Sequence, residues 1–244
     1  MTSFALPAGL RSIGKGAFSD CSSLTSIELP AGLTSLGKFA FSGCSSMTSI
    51  VLPAGLTTIG ELAFSGCSSL TSIALPASLT SLGKGAFSGC SSLTSATLPA
   101  ALTSLRAGAF QGCSSLTYVE LPTGLTHFDG DNIFRGCSSL TSVTLPTNLM
   151  KLFGARALFA GCSSLKSVSL PAGLVSLGAM TFSGCSSLTS IELPTGITRI
   201  GSYAFEGCSA LTSMELPAGI RMIGSHAFSG CTSLPEGFTL PNLD

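Results

Sequence analysis

Charge is scarce in this chain. Lys, Arg, Asp and Glu make up only 9% of its 244 residues, and eleven basic residues balance eleven acidic ones. A soluble domain usually carries about 25% charged residues, so Ser, Thr, Gly and Ala must cover most of this surface. Without net charge there is no long-range field to draw in a phosphate backbone or an anionic lipid, and nucleic acid is not an expected partner. Tryptophan is absent, and tyrosine and histidine occur twice each. His127 and His226 have no nucleophile and acid placed to work with them, so no enzyme is expected. Mean hydropathy is +0.57, yet Pro, Gly or paired Ser interrupts every apolar stretch before the roughly 18 residues a spanning helix needs. No membrane insertion is expected. Residues 1–10 lack a basic start and a sustained apolar segment, so no signal peptide is visible there. Asn132, Asn148 and Asn242 are followed two places on by Phe, Met and Asp, which leaves no N-glycosylation sequon.

What the chain has instead is a period. Cysteine falls at 21, 44, 67, 90, 113, 137, 162, 185, 208 and 231, at intervals of 23 residues that slip to 24 and 25 in the middle. Phe keeps the same beat three residues before each Cys, and Pro follows nine residues after each from Cys21 to Cys208. Such self-similarity marks a solenoid, in which no coil buries its apolar side alone and stacked neighbours complete the core.

One unit runs Leu24-Thr-Ser-Ile-Glu-Leu-Pro, then Ala-Gly-Leu-Thr-Ser-Leu-Gly, then Lys-Phe-Ala-Phe-Ser-Gly-Cys-Ser-Ser. Alternation over Thr25 to Leu29 predicts a short strand with Ile27 and Leu29 inward, Ser26 and Glu28 outward, and Pro30 closing it. Leu33 and Leu36, followed by Gly37, predict a second extended or tightly turned segment. Ala-Phe is read as one helical or 3₁₀ turn ended by the Gly before Cys. That Gly is Asp20 in the first coil, a residue type that tolerates a left-handed backbone. The expectation is one strand-rich α/β repeat domain over residues 1–244, with about ten coils, a parallel sheet on one face, and columns of Phe and of free, buried Cys. Strand spacing of about 4.8 Å would make nine steps roughly 43 Å long.

The pattern Leu-x-x-Ile-x-Leu-Pro-x-x-Leu-x-x-Ile-Gly-x-x-Ala-Phe-x-x-Cys, matched closely over Leu188 to Cys208, resembles the BspA-type class of leucine-rich repeats. The resemblance covers practically the whole chain. It implies a right-handed leucine-rich-repeat solenoid, a cell-surface or extracellular location, and adhesive binding roles.

Three functions follow as expectations. The first is non-enzymatic recognition or adhesion, binding a protein or glycan through the strand face, because solenoids present extended surfaces. The otherwise monotonous surface gains character in the irregular middle, and the candidate contact residues are Tyr118, Glu120, Ser142, Thr144, Asp129, Asp131 and Lys166. Asp129, Asp131 and Asn132 also place oxygen atoms close together, but the spacing and the closing Glu of a calcium loop are missing, so no metal or cofactor is assigned. The second function is self-assembly: Met1 to Pro7 already matches the strand motif and leaves an apolar edge for end-to-end homo-oligomers, while Leu234 to Pro241 reads as a crude stop. The third is ice binding by the ladder of outward Thr and Ser.

Overall fold

A computed structural model describes residues 6–149, 155–236 and 238. The chain winds into a strand-rich parallel β-solenoid of about nine turns, because ten cysteines span nine intervals. Each coil presents up to two short strands, one on either side of Pro. After Pro lie Ser12–Ile13, Ser35–Leu36, Thr58–Ile59 and Ser81–Leu82, paired in that order as one parallel sheet. Before Pro lie Ser72–Ala74, Ser95–Thr97 and Tyr118–Glu120, paired as a second sheet. The register follows the sequence period: Ser35 pairs with Thr58, and Ser95 with Tyr118, each 23 residues on. Strands thus line two rows rather than the single face expected. Between them Pro closes a tight turn, with the Leu33 N–H donating to the Pro30 carbonyl at 3.0 Å and the same bond recurring in later coils.

The helical turn expected at Ala-Phe does not form. Among the described residues there is no helix, and none therefore long and apolar enough to cross a membrane. The reason lies in the backbone, which turns left-handed twice per coil. One left-handed residue precedes Cys, with Asp20 at φ 58° and Gly43 at 73°. The other sits two residues before Phe, where Phe39, Leu62, Met180 and Tyr203 hold φ between 55° and 60°. A helix needs consecutive right-handed residues, and this alternation breaks it into tight turns such as Ser42 N–H to Phe39 O and Cys44 N–H to Phe41 O. The remaining N–H groups of that segment donate outward to the next coil: Phe39 to Glu61 O, Phe41 to Ala63 O and Gly43 to Ser65 O, at 2.7–2.9 Å. The turns therefore form a third hydrogen-bonded row, which satisfies the backbone without a helix.

The core is a set of columns. Phe41, Phe64, Phe87, Phe110, Phe134 and Phe159 are fully buried, with successive ring centroids 5.4–5.7 Å apart and planes within 19°. Beside them runs the Cys column, whose thiols donate to backbone: Cys67 Sγ to Phe41 O and Cys90 Sγ to Phe64 O, both 3.2 Å. All ten are free, as expected, and eight are fully buried. The end members depart from the expectation of an interior column, because Cys21 is exposed and Cys231 half-buried. Thr181 stands where Ala usually precedes Phe, and its buried hydroxyl donates to Gly178 O at 2.7 Å.

The irregular middle has a steric origin. After the second strand the regular coils use Gly because neighbouring backbones nearly touch: a Cβ on Gly60 would lie 2.5 Å from the Gly37 carbonyl carbon. Arg106 and Asp129 occupy the corresponding places, and a side chain there requires the backbones to separate. Ser104–Arg106 and His127–Asp129 accordingly form their own two-stranded sheet, apart from the one that ends at Ser81–Leu82. The extra residue of the 24-residue coil is accommodated in a bend at Gly130 and Asp131. The 25-residue coil carries its insertion around residues 150–154, outside the described residues, as do most of the motif at Met1 to Pro7 and the end of Leu234 to Pro241.

Candidate functional site

Strand pleating decides which side chains a ligand meets. In Tyr118–Glu120 the middle residue, Val119, is buried, so Tyr118 and Glu120 point away from the core. Tyr118 keeps 51% of its surface and is the large aromatic in an outward row otherwise made of Ser. Its pairing partner is Ser95, and Glu120 pairs with Thr97. In the next coil Ser142 and Thr144 take the same outward places on Ser142–Thr144, paired to Ser167 and Ser169. Lys166, immediately before Ser167, stands in the column of strand-entry threonines, and its N–H donates to Thr141 O at 3.0 Å. Tyr118, Glu120, Ser142, Thr144 and Lys166 thus share one outward face over three successive coils.

The other two sequence candidates lie elsewhere. Asp129 is on the second strand row, in a different sheet, where Arg106 Nε approaches its carboxylate at 4.0 Å with both side chains about half exposed or more. Asp131 lies in the turn row, and its Oδ1 accepts the Arg156 N–H at 2.8 Å. Each carboxylate thus has a partner within the chain, and among the described residues no three His, Cys, Asp or Glu side chains converge on a cation position.

The hydroxyl ladder is tied into the fold. Thr71, Thr94 and Thr117 each donate Oγ1–H to the carbonyl of the Thr one coil earlier, at 3.1–3.3 Å. Thr57 and Thr80 do the same on the other strand row, and in the Ser-Ser segment Ser68, Ser91 and Ser114 donate to the carbonyls of Ser45, Ser68 and Ser91. These hydrogens bind coil to coil, while the exposed oxygens keep their acceptor capacity toward solvent.

Sequence reasoning missed the left-handed row before Phe. Ten consecutive coils place Gly16, Phe39, Leu62, Gly85, Gly108, Asn132, Ala157, Met180, Tyr203 and His226 there. A non-Gly residue in this conformation costs about 1–3 kcal/mol, so the side chains carry a penalty that Gly avoids. Tyr203 and His226 stack with centroids 5.0 Å apart, and Lys38 Nζ sits 4.9 Å from the Phe39 ring centre. This position varies from coil to coil, as does the one before it, so variation alone does not single it out.

A family model of the BspA-type leucine-rich repeat region matches in six copies, over residues 1–117, 63–155 and 155–243. Among solved structures, a leucine-rich repeat protein of Bacteroides ovatus is 30% identical, with 96% of this chain aligned to 77% of that one at a TM-score of 0.56. The pneumococcal vaccine antigen PcpA is 25% identical, with 92% aligned to 66% at a TM-score of 0.63. A leucine-rich repeat protein of Eubacterium ventriosum, 21% identical with 97% aligned to 85% and a TM-score of 0.51, shares the fold. No curated protein matches the chain.

Proposed function

Because the chain belongs to the BspA-type leucine-rich-repeat family, we propose that it is a non-enzymatic recognition or adhesion module that binds a protein or glycan through its outward strand face. The observation that carries this reading is Tyr118, half exposed at the centre of a polar row. A rigid aromatic among small hydroxyl side chains offers apolar contact area at low entropic cost, and tyrosine is enriched where binding energy concentrates. Glu120 beside it and Lys166 two coils on add charges of both signs, so the face can discriminate among ligands as well as hold them.

Screening the intact chain against arrayed glycans and extracellular proteins supplies a first ligand. Tyr118→Ala with Glu120→Lys then weakens its binding at least tenfold, about 1.4 kcal/mol, and leaves the melting transition nearly unchanged because both side chains are outside the core. Undiminished binding by that variant, with loss on changing Ser26 and Glu28 or Ser190 and Glu192, moves the site to another coil and overturns the central-face assignment.

A further inference from the structure

The turn row carries a second surface, distinct from the strand face. Just before each left-handed residue lies a position that is charged in six of the ten coils, and the backbone ladder fixes the order of this row. Leu62 N–H donates to Lys84 O, Gly85 to Ala107 O, Gly108 to Asp131 O and Asn132 to Arg156 O, at 2.8–2.9 Å, each one coil on. Between Lys15 and Lys38 at one end and the neutral Ala179, Ser202 and Ser225 at the other, the row reads Glu61, Lys84, Ala107, Asp131, Arg156: negative, positive, neutral, negative, positive. A two-fold rotation about Ala107 sets Lys84 against Asp131 and Glu61 against Arg156. Moving the axis half a coil step one way brings Glu61 against Asp131, and the other way Lys84 against Arg156. Like charges set against each other reject both shifts.

Size follows the same symmetry. The rotation sets Gly85 against Asn132 and Leu62 against Ala157, small and recessed against large in each pair, with the recessed Gly108 on the axis. One step further out Phe39 meets Met180, a sulfur–aromatic contact. At the axis lies a notch of about 210 Å³ lined by Gly85, Gly108, Lys84, Gln111 and Asn132, among others. Lys84 and Arg156 are exposed, and Glu61, though held by Lys38 at 3.0 Å, keeps 41% of its side chain accessible.

We propose that this row is the interface of a two-fold symmetric homodimer, in which two copies pack antiparallel with Ala107 on the axis. The arrangement is isologous, each patch serving both partners, and it closes at two copies, unlike end-to-end stacking. Its extent along the row, centred on five coils, is small for a permanent dimer, so micromolar association is expected.

Sedimentation equilibrium over a micromolar to millimolar range tests it. A concentration-dependent dimer is expected, and Lys84→Glu, which counts twice by symmetry, weakens it at least tenfold. Adding Asp131→Lys to that variant restores it. Because Asp131 also accepts the Arg156 N–H, a crosslink supplies an independent reading. In a Cys21→Ser background, which removes the exposed native thiol, Ala107→Cys forms a covalent dimer under mild oxidation and Ser202→Cys does not. A monomer throughout the range, open-ended polymers, or equal crosslinking from both positions overturns the proposal.

Discussion

Raising the pH from 8 to 10 destabilises this protein. Eight thiols, from Cys44 to Cys208, are fully buried. Burial pushes each of them up from the ordinary value of 9.0, Cys44 to about 11 and Cys67, Cys113 and Cys208 to about 12, with a neighbouring thiol adding to the effect at Cys44, Cys67 and Cys208. Cys90, Cys137, Cys162 and Cys185 are raised in the same direction for the same first reason. Above pH 9 the unfolded chain releases these protons and the folded chain keeps them. Stability is therefore full below pH 9 and falls as pH rises, until the folded thiols themselves ionise. Above pH 9 each pH unit removes up to about 1.4 kcal/mol for every thiol that the fold keeps protonated. Urea melts at stepped pH read this directly, and Cys113→Ala lowers the slope by one thiol's share. Stability that stays level to pH 10 refutes the buried column. A thiol reagent at neutral pH supplies the complementary count, with Cys21 reacting in the native state and all ten after denaturation.

Phe87→Ala lowers stability by about 3–5 kcal/mol, the usual loss when a buried Phe leaves a space that cannot fully collapse. The ring lies between Phe64 and Phe110, with centroids 5.4 and 5.5 Å away. Collapse is resisted because the coil spacing is fixed by hydrogen bonds on the strand and turn rows, so neighbouring rings cannot close the gap. Denaturant melts giving less than about 1 kcal/mol, which is outside ordinary extrapolation error, contradict a Phe spine.

Much of this architecture is legible in one repeat. Cys, Phe and Pro at fixed intervals disclose the coil and its core columns, and Asp20 in place of Gly discloses the left-handed turn before Cys. The second left-handed position stays hidden, because Phe39, Leu62 and Tyr203 give no sign of the conformation their neighbours impose. That hidden position also explains the missing helix, since Ala-Phe in isolation suits a helical turn. The candidate site divides for a related reason. Period alternation places Tyr118 and Glu120 on one outward face, but nothing in the spacing says that Asp129 and Asp131, a few residues later, turn onto other rows. The ladder of Thr hydroxyls was legible as a surface feature, while its bonding to the preceding coil depends on a register that only stacked neighbours define.

The direction of the hydrogen bonds between coils has an electrical consequence. On the turn row, Phe39, Phe41 and Gly43 donate toward the C-terminal neighbour. Most other bonds between coils run the other way, as from Gly37 to Ile13 O and Thr48 to Thr25 O, and the side chains of Cys67 and Thr57 follow that second direction, although Leu98 donates forward to Glu120 O. An α-helix aligns its peptide dipoles and acquires the equivalent of half a charge at each end. Here the contributions of opposite rows subtract, so adding coils lengthens the rod without building an axial macrodipole. Its field is then set by the few side-chain charges and not by its backbone, and in a chain this poor in charge each of those becomes a landmark.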